Sequence, residues 1–222
     1  MKLHWSPKSP FVRKVMIVIH ECNLTDEVEL KRSIVASQLP PNEDVLKDSP
    51  IGKIPVLITN DGLALLDSRV ISEYLNDYSN RELFPSRPID RVKQLRWQAL
   101  ADGLTDILLL WRIELSREEG PWAGLTDGWL MKVRRTMQLF DLEAKELRSE
   151  DFAIGQVSVV CALGQLDFRW PDCEWRKHFP ALAEANSHWI QRKSVRATEI
   201  QNDKQEDSGA LTKGILTFAA DV

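Results

Sequence analysis

Metal-binding spacing is missing from this sequence. Its three cysteines, Cys22, Cys161 and Cys173, form no CxxC pair, and its four histidines stand at no ligand-like distance from them. So odd and sparse a cysteine count excludes a disulfide framework and suits reduced thiols in a cytoplasmic chain. A basic excess is missing too. Against 33 Asp and Glu stand 29 Lys and Arg, a net charge of -4, which argues against nucleic acid as the main partner. Apolar runs are short, and Ile107 to Trp111 falls far below a membrane span. Lys2 is followed by His4, Trp5 and prolines, so the expectation is no signal peptide. There is no long-period repeat and no low-complexity tract. What the chain has in plenty is tryptophan, eight in 222 residues, a residue common in cores and apolar pockets.

The stretch that organises the chain is Ser6-Pro7-Lys8-Ser9-Pro10-Phe11-Val12-Arg13-Lys14-Val15. An apolar segment, Lys2 to Trp5, precedes it and reads as a strand; Phe11 to Asn23 reads as a helix. Pro10 fits the first helical position, where its missing N–H costs nothing. Ser9 is then the N-cap, set among unpaired N–H groups at the positive end of a helix dipole, where an anion is favoured. A plain cap is the alternative reading.

Val28 to Val35 reads as a second strand running into a loop, and Gln38 to Asp48 as irregular or briefly helical. Ile54-Pro55 opens a third strand, Asn60-Asp61-Gly62 signals a hairpin turn, and Leu63 to Leu66 is the return strand. Asp67-Ser68 caps a helix over 69–78. The proline-bearing stretch around Pro85 and Pro88 separates this half from one without strand signals. There the pattern predicts a helix from Asp90 to Ser116, and a second from Thr126 or Asp127 to about Ser149. An apolar helix from Gly155 to Phe168 and a last helix from Ala181 to Lys193 follow. Arg13 and Arg112 read as solvated surface charge, with contact to an acidic substrate as the alternative.

Three loops of the first half can converge. A cis Ile54–Pro55 bond turns the Ile54 backbone N–H and C=O outward, able to pair with a peptide like an added strand; a trans bond merely ends a loop. The N–H groups of the helix after Asp67, with the Ser68 hydroxyl, suit a carboxylate, and Asp67 suits an ammonium. A plain cap is the alternative reading of that pair. A ligand with a peptide-like backbone, a free α-amino acid end and a thiol matches all three loops.

These segments, with Gly52-Lys-Ile-Pro-Val-Leu57, Leu66-Asp-Ser-Arg-Val-Ile71, Cys161-Ala-Leu-Gly-Gln-Leu-Asp-Phe-Arg169 and Trp175-Arg-Lys-His-Phe-Pro-Ala-Leu182, resemble a glutathione S-transferase over roughly residues 1–198. The likeness is greatest to bacterial members with a Ser-Pro-Phe/Tyr-Val-Arg-Lys start. The resemblance implies a thioredoxin-like α/β domain over 1–80, a linker over 81–88 and an all-helical domain over 89–198, with 199–222 left unassigned. It implies a homodimer with glutathione as cosubstrate and no metal. It makes Ser9 the donor to the glutathione sulfur, with Ser6 as the other candidate. Ile54, before a cis Pro55, would meet the cysteinyl backbone, and Asp67 and Ser68 would meet the γ-glutamyl end. Lys53 or Gln38 would reach the glycyl carboxylate. An apolar electrophile would then lie beside the sulfur, near Trp5, Leu104, Leu108, Trp111 and Trp122. The implied activity is conjugation or peroxide reduction. The alternatives are isomerisation or dehalogenation on the same fold, or a non-catalytic binding role. The chain departs from the family pattern at Ala153 and Gln156, which replace a Ser/Thr…Asp capping box, at Lys193, where Pro is common, and at Asp67, where Glu is usual.

Overall fold

The computed structural model describes residues 1–36, 39–202 and 216–218. The chain forms two compact units. One is built from Met1–Val92 and the stretch beginning at Lys193, the other from Lys93–Arg192 and the stretch holding 216–218.

The first unit carries a four-stranded sheet of β1 (Lys2–Trp5), β2 (Glu29–Arg32), β3 (Val56–Ile58) and β4 (Ala64–Leu65), in the order β2-β1-β3-β4. β1 runs parallel to β2 and antiparallel to β3, and β4 returns antiparallel to β3 through the Asn60-Asp61-Gly62 turn. Successive residues of the central strand point to opposite faces, and both Leu3 and His4 are fully buried, so the sheet is covered on both sides. The helices are α1 (Pro10–Glu21), α2 (Glu43–Asp48) and α3 (Ser68–Ser79), with α1 and α3 packed on each other. The short α10 (Lys193–Arg196) returns to pack on α1.

His4 fastens α2 to this sheet. Its Nε2 donates to the Asp48 carboxylate at 2.8 Å, and its Nδ1 shares a 2.7 Å hydrogen bond with Ser33 Oγ. Ser33 is itself buried, so this Ser–His–Asp arrangement holds structure together and meets no substrate. His4→Phe keeps a ring but strips both bonds. Asp48 can rehydrate, being 30% exposed, whereas buried Ser33 is left only its 3.2 Å donation to the Lys31 carbonyl. The expected loss is about 1–3 kcal/mol in urea unfolding; an unchanged midpoint would remove the latch from the fold's stability.

The second unit is helical: α4 (Pro88–Glu114, most of which lies here), α5 (Ala123–Leu142), α6 (Ala144–Ser149), α7 (Ile154–Arg169), α8 (Trp175–His178) and α9 (Pro180–Trp189). α7 is buried on nearly every face and forms the centre, as its all-round apolar pattern requires.

Several boundaries differ from the sequence expectation, each for a local reason. α4 starts at Pro88, and Asp90 sits in its first turn, taking the Arg87 guanidinium at 2.6 and 2.7 Å. α5 starts at Ala123, because the Trp122 N–H donates to Glu114 Oε1 at 2.8 Å; Thr126 lies inside the helix and donates to the Ala123 carbonyl. The expected single helix to Ser149 breaks at Glu143. Its carboxylate is held by Trp97 Nε1 and by both arms of Arg96 at 2.7–2.8 Å. The last expected helix stops at Trp189, and α10 begins after a turn. Arg13 is buried, its guanidinium 3.5 Å from the Val195 carbonyl at the end of α10, rather than solvated.

The start of α7 keeps half of its capping box. Ala153 has no side-chain acceptor, but Gln156 Oε1 accepts from the Ala153 N–H at 3.1 Å. Gln94, from α4, supplies the other acceptor: its Oε1 takes the Gly155 N–H at 2.9 Å.

Candidate functional site

The sheet register decides which loops meet. His4 at the end of β1 pairs with Val56 at the start of β3, and Leu65 at the end of β4 pairs with Leu57. The loops that leave β1, enter β3 and leave β4 therefore emerge at one end of the sheet. They carry Ser6–Ser9, Ile54–Pro55 and Asp67–Ser68.

The first loop feeds α1. Ser9 adopts extended backbone angles, Pro10 takes the first helical position, and Ser9 Oγ accepts from the Val12 N–H at 3.2 Å. That bond fixes the oxygen and leaves its single O–H to donate elsewhere. The first turn of α1 contains no acidic residue, so nothing within it neutralises the positive end of the helix dipole. Ser6 Oγ lies outside the helix and accepts from the Lys8 N–H at 3.5 Å.

The second loop turns at Gly52, whose φ of +62° is a left-handed conformation that glycine adopts without strain. Pro55 is buried behind a cis Ile54–Pro55 bond, Ile54 is half-buried and Lys53 is exposed. Gln38 lies outside the described residues.

The third loop starts α3, and its Leu66–Asp67 bond is also cis. Asp67 is the N-cap, with Oδ1 accepting from the Arg69 N–H at 2.8 Å and Oδ2 facing the Arg69 guanidinium at 3.2 Å. Partial burial works to raise the pKa of Asp67. The Arg69 N–H and guanidinium outweigh it, with help from the Lys14 charge, and hold the carboxyl below its ordinary value of 3.8. Ser68 is buried beside it. The Lys14 ammonium, itself 1% exposed, donates to Ser68 Oγ at 3.3 Å. This contact escapes sequence reasoning, because a lysine one turn into an apolar helix reads as surface, and its partner stands 54 positions away.

Trp5 ends β1 and is half-buried. Leu104, Leu108 and Trp111 lie on α4 and are buried; the Trp111 ring sits 6.2 Å from that of Trp170, while Trp122 is exposed. A cleft of about 500 Å³ on the helical unit, lined by residues including Arg134, His178 and Phe179, holds none of the residues singled out above. Burial pushes the Cys22 thiol up and the Cys173 thiol up to about 11, so neither supplies a ready thiolate. Among the described residues no group of acidic, His or Cys side chains has the grouping of a metal site, and no helix is long and apolar enough to cross a membrane.

In chemical terms, the loop end of the sheet holds two helix N-termini, the three hydroxyls of Ser6, Ser9 and Ser68, one carboxylate and one buried ammonium. Residues 8–77 match the family described as "Glutathione S-transferase, N-terminal domain". The chain is 39% identical to a glutathione transferase family member from Pseudomonas fluorescens Pf-5, solved with bound glutathione; the match covers 90% of this chain and 99% of that one, with a TM-score of 0.85. A glutathione S-transferase from Methylobacillus flagellatus KT, solved with glutathione bound, is 32% identical over 90% of this chain and 99% of its own, with a TM-score of 0.81. An uncharacterised GST-like protein of Escherichia coli K12, YibF, is 29% identical over 90% of this chain and 98% of its own.

Proposed function

This chain belongs to the glutathione S-transferase family, and we propose that it stabilises the thiolate of glutathione and directs it at small apolar electrophiles, as a cytoplasmic homodimer. The observation that carries this reading is the pair of capped helix N-termini, at Ser9 and at Asp67-Ser68, brought to one end of the sheet. It stands in a chain 39% identical to a protein solved with glutathione.

The residues fit such a ligand. Asp67 keeps its negative charge through the neutral range and suits an α-ammonium. The Ser68 hydroxyl and the first N–H groups of α3 suit an α-carboxylate. The Ile54 backbone offers peptide-like pairing at the mouth of β3, and Lys53 suits a second carboxylate. Ser9 donates its O–H to sulfur at the positive end of α1, which lowers the pKa of a thiol that is otherwise mostly protonated at neutral pH. Ser9 need not lose its own proton, so no neighbouring base is required. Bound glutathione supplies the nucleophile, and the protein's part is to hold it, orient it and keep it ionised. The electrophile would approach the sulfur beside Ser9; Leu104, Leu108 and Trp111, expected to line its pocket, are buried core side chains instead.

Isothermal calorimetry with glutathione tests the binding half of this reading. Ser68→Ala should weaken binding about tenfold, the worth of one hydrogen bond to a charged group. No saturable binding of millimolar glutathione to the native chain would overturn the proposal and point to a non-catalytic role.

A further inference from the structure

We infer that Lys14 is a positioning residue for ligand recognition, acting through Ser68 to select a ligand that carries an α-carboxylate. The inference rests on the glutathione reading above and goes beyond it, assigning the carboxylate preference to a side chain that need not touch the ligand.

Three observations carry it. Lys14 and Ser68 are almost wholly buried, at 1% and 2% exposure, so their contact is shielded from water. The Lys14 ammonium, which has only donors, gives one to Ser68 Oγ at 3.3 Å. The hydroxyl's own proton is thereby turned away from Lys14 and left to donate outward. Neighbouring groups hold the rest of the arrangement in place. Ser72 Oγ donates to the Ser68 carbonyl at 2.7 Å and anchors the first turn of α3, and the Lys14 ammonium lies 5.5 Å from the centre of the Phe11 ring.

The physical consequence is a relay of polarity. A positive charge behind a hydroxyl makes that hydroxyl a stronger donor, and in a buried setting the effect is not screened by solvent. An anion in front of Ser68 is then favoured twice, by the polarised O–H and by the ammonium one bond further back. Asp67 stands next to Ser68 with the opposite charge. The pair Asp67 and Lys14–Ser68 thus reads both ends of a zwitterionic amino-acid head: ammonium to Asp67, carboxylate to Ser68. Removing Lys14 should blunt the second reading and leave the first, because Asp67 is held ionised chiefly by the Arg69 N–H and guanidinium and only secondarily by Lys14.

The test compares two peptides. Glutathione carries both groups; 4-aminobutyryl-cysteinyl-glycine keeps the ammonium and lacks only the α-carboxylate. Calorimetric affinities for both are measured on the native chain and on Lys14→Met, Lys14→Gln and Lys14→Arg, with thermal unfolding of each variant alongside. The expected result is about tenfold weaker glutathione binding by the Met and Gln variants, with affinity for the carboxylate-free peptide changed less than about twofold. The Arg variant should retain most of the discrimination. Equal weakening toward both peptides would overturn the inference and leave Lys14 a structural residue. Undiminished discrimination by the Met or Gln variant would overturn it as well. Because the Gln variant keeps a polar head group, the test survives if Met at this position does not fold. Failure of the native chain to bind glutathione at all is a separate result, and overturns the proposed function instead.

Discussion

Replacing Ser9 by alanine is expected to lower turnover with glutathione about 10- to 100-fold while leaving the glutathione dissociation constant within about threefold. The asymmetry follows from what the hydroxyl does. In the proposed site it would contribute little to holding a tripeptide gripped at its backbone and at both ends. It contributes much to the charge on sulfur, because a hydrogen bond to a charged group is worth about twice one between neutral groups. The pH profile should move with it. A thiol left without its donor drifts back toward its free pKa of about 8.5, so the variant should recover rate as pH is raised while the native protein has already levelled off. Ser9 also caps α1 through the Val12 N–H, and losing the cap costs about 1 kcal/mol. Ser9→Gly separates the two effects, since glycine at an N-cap costs only a few tenths of a kcal/mol yet donates nothing from a side chain. Equal falls in turnover for the Ala and Gly variants would assign the loss to the donor. If Ser6→Ala lost the rate instead, the donor would be Ser6.

Gly155→Ala should destabilise the helical unit by about 3–5 kcal/mol, against a general expectation that Gly→Ala inside a helix stabilises by about 1 kcal/mol. The sign is reversed by Gln94. A Cβ at position 155 would stand 2.6 Å from Gln94 Oε1, 3.0 Å from Trp97 Cβ and 3.2 Å from the Gln94 carbonyl. The nearest of these is the acceptor that satisfies the Gly155 N–H. Moving it aside strands a buried donor and a buried amide at once, at about 1–3 kcal/mol, on top of the overpacking. Gly103→Ala supplies the control. That position is also helical but exposed, with nothing within 4 Å of the added carbon. It should gain roughly 0.5–1 kcal/mol. Urea unfolding of both variants checks the pair; two changes of the same sign would refute the packing argument.

Much of this was legible from local chemistry. Ser9-Pro10, Asp67-Ser68 and Asn60-Asp61-Gly62 act over a few residues, and each produces in the structure the cap or turn that its residue types favour. Three of the misses share one cause: they depend on partners far away in the chain. Glu143 breaks a helix because Arg96 and Trp97 take its carboxylate from 47 and 46 positions back. Arg13 is buried because a carbonyl 182 positions on is there to accept from it. Lys14 is buried with a hydrogen-bond partner, Ser68, 54 positions away. Charged residues on apolar helices read as surface unless the partner is known, and periodicity carries no information about partners. The same holds at Ala153, where the absent cap acceptor is offset by a glutamine from another helix.

The place of α10 in the first unit has a consequence for biosynthesis. The ribosome finishes the four strands and three helices of that unit by residue 92, yet the segment that covers Arg13 on α1 is not made until Val195. At about 5–20 residues per second, roughly 5–20 s of synthesis separate the two events. During that interval the nascent unit carries a guanidinium and a helix face whose final cover does not yet exist. Its last contacts can close only once nearly all of the helical unit has been translated.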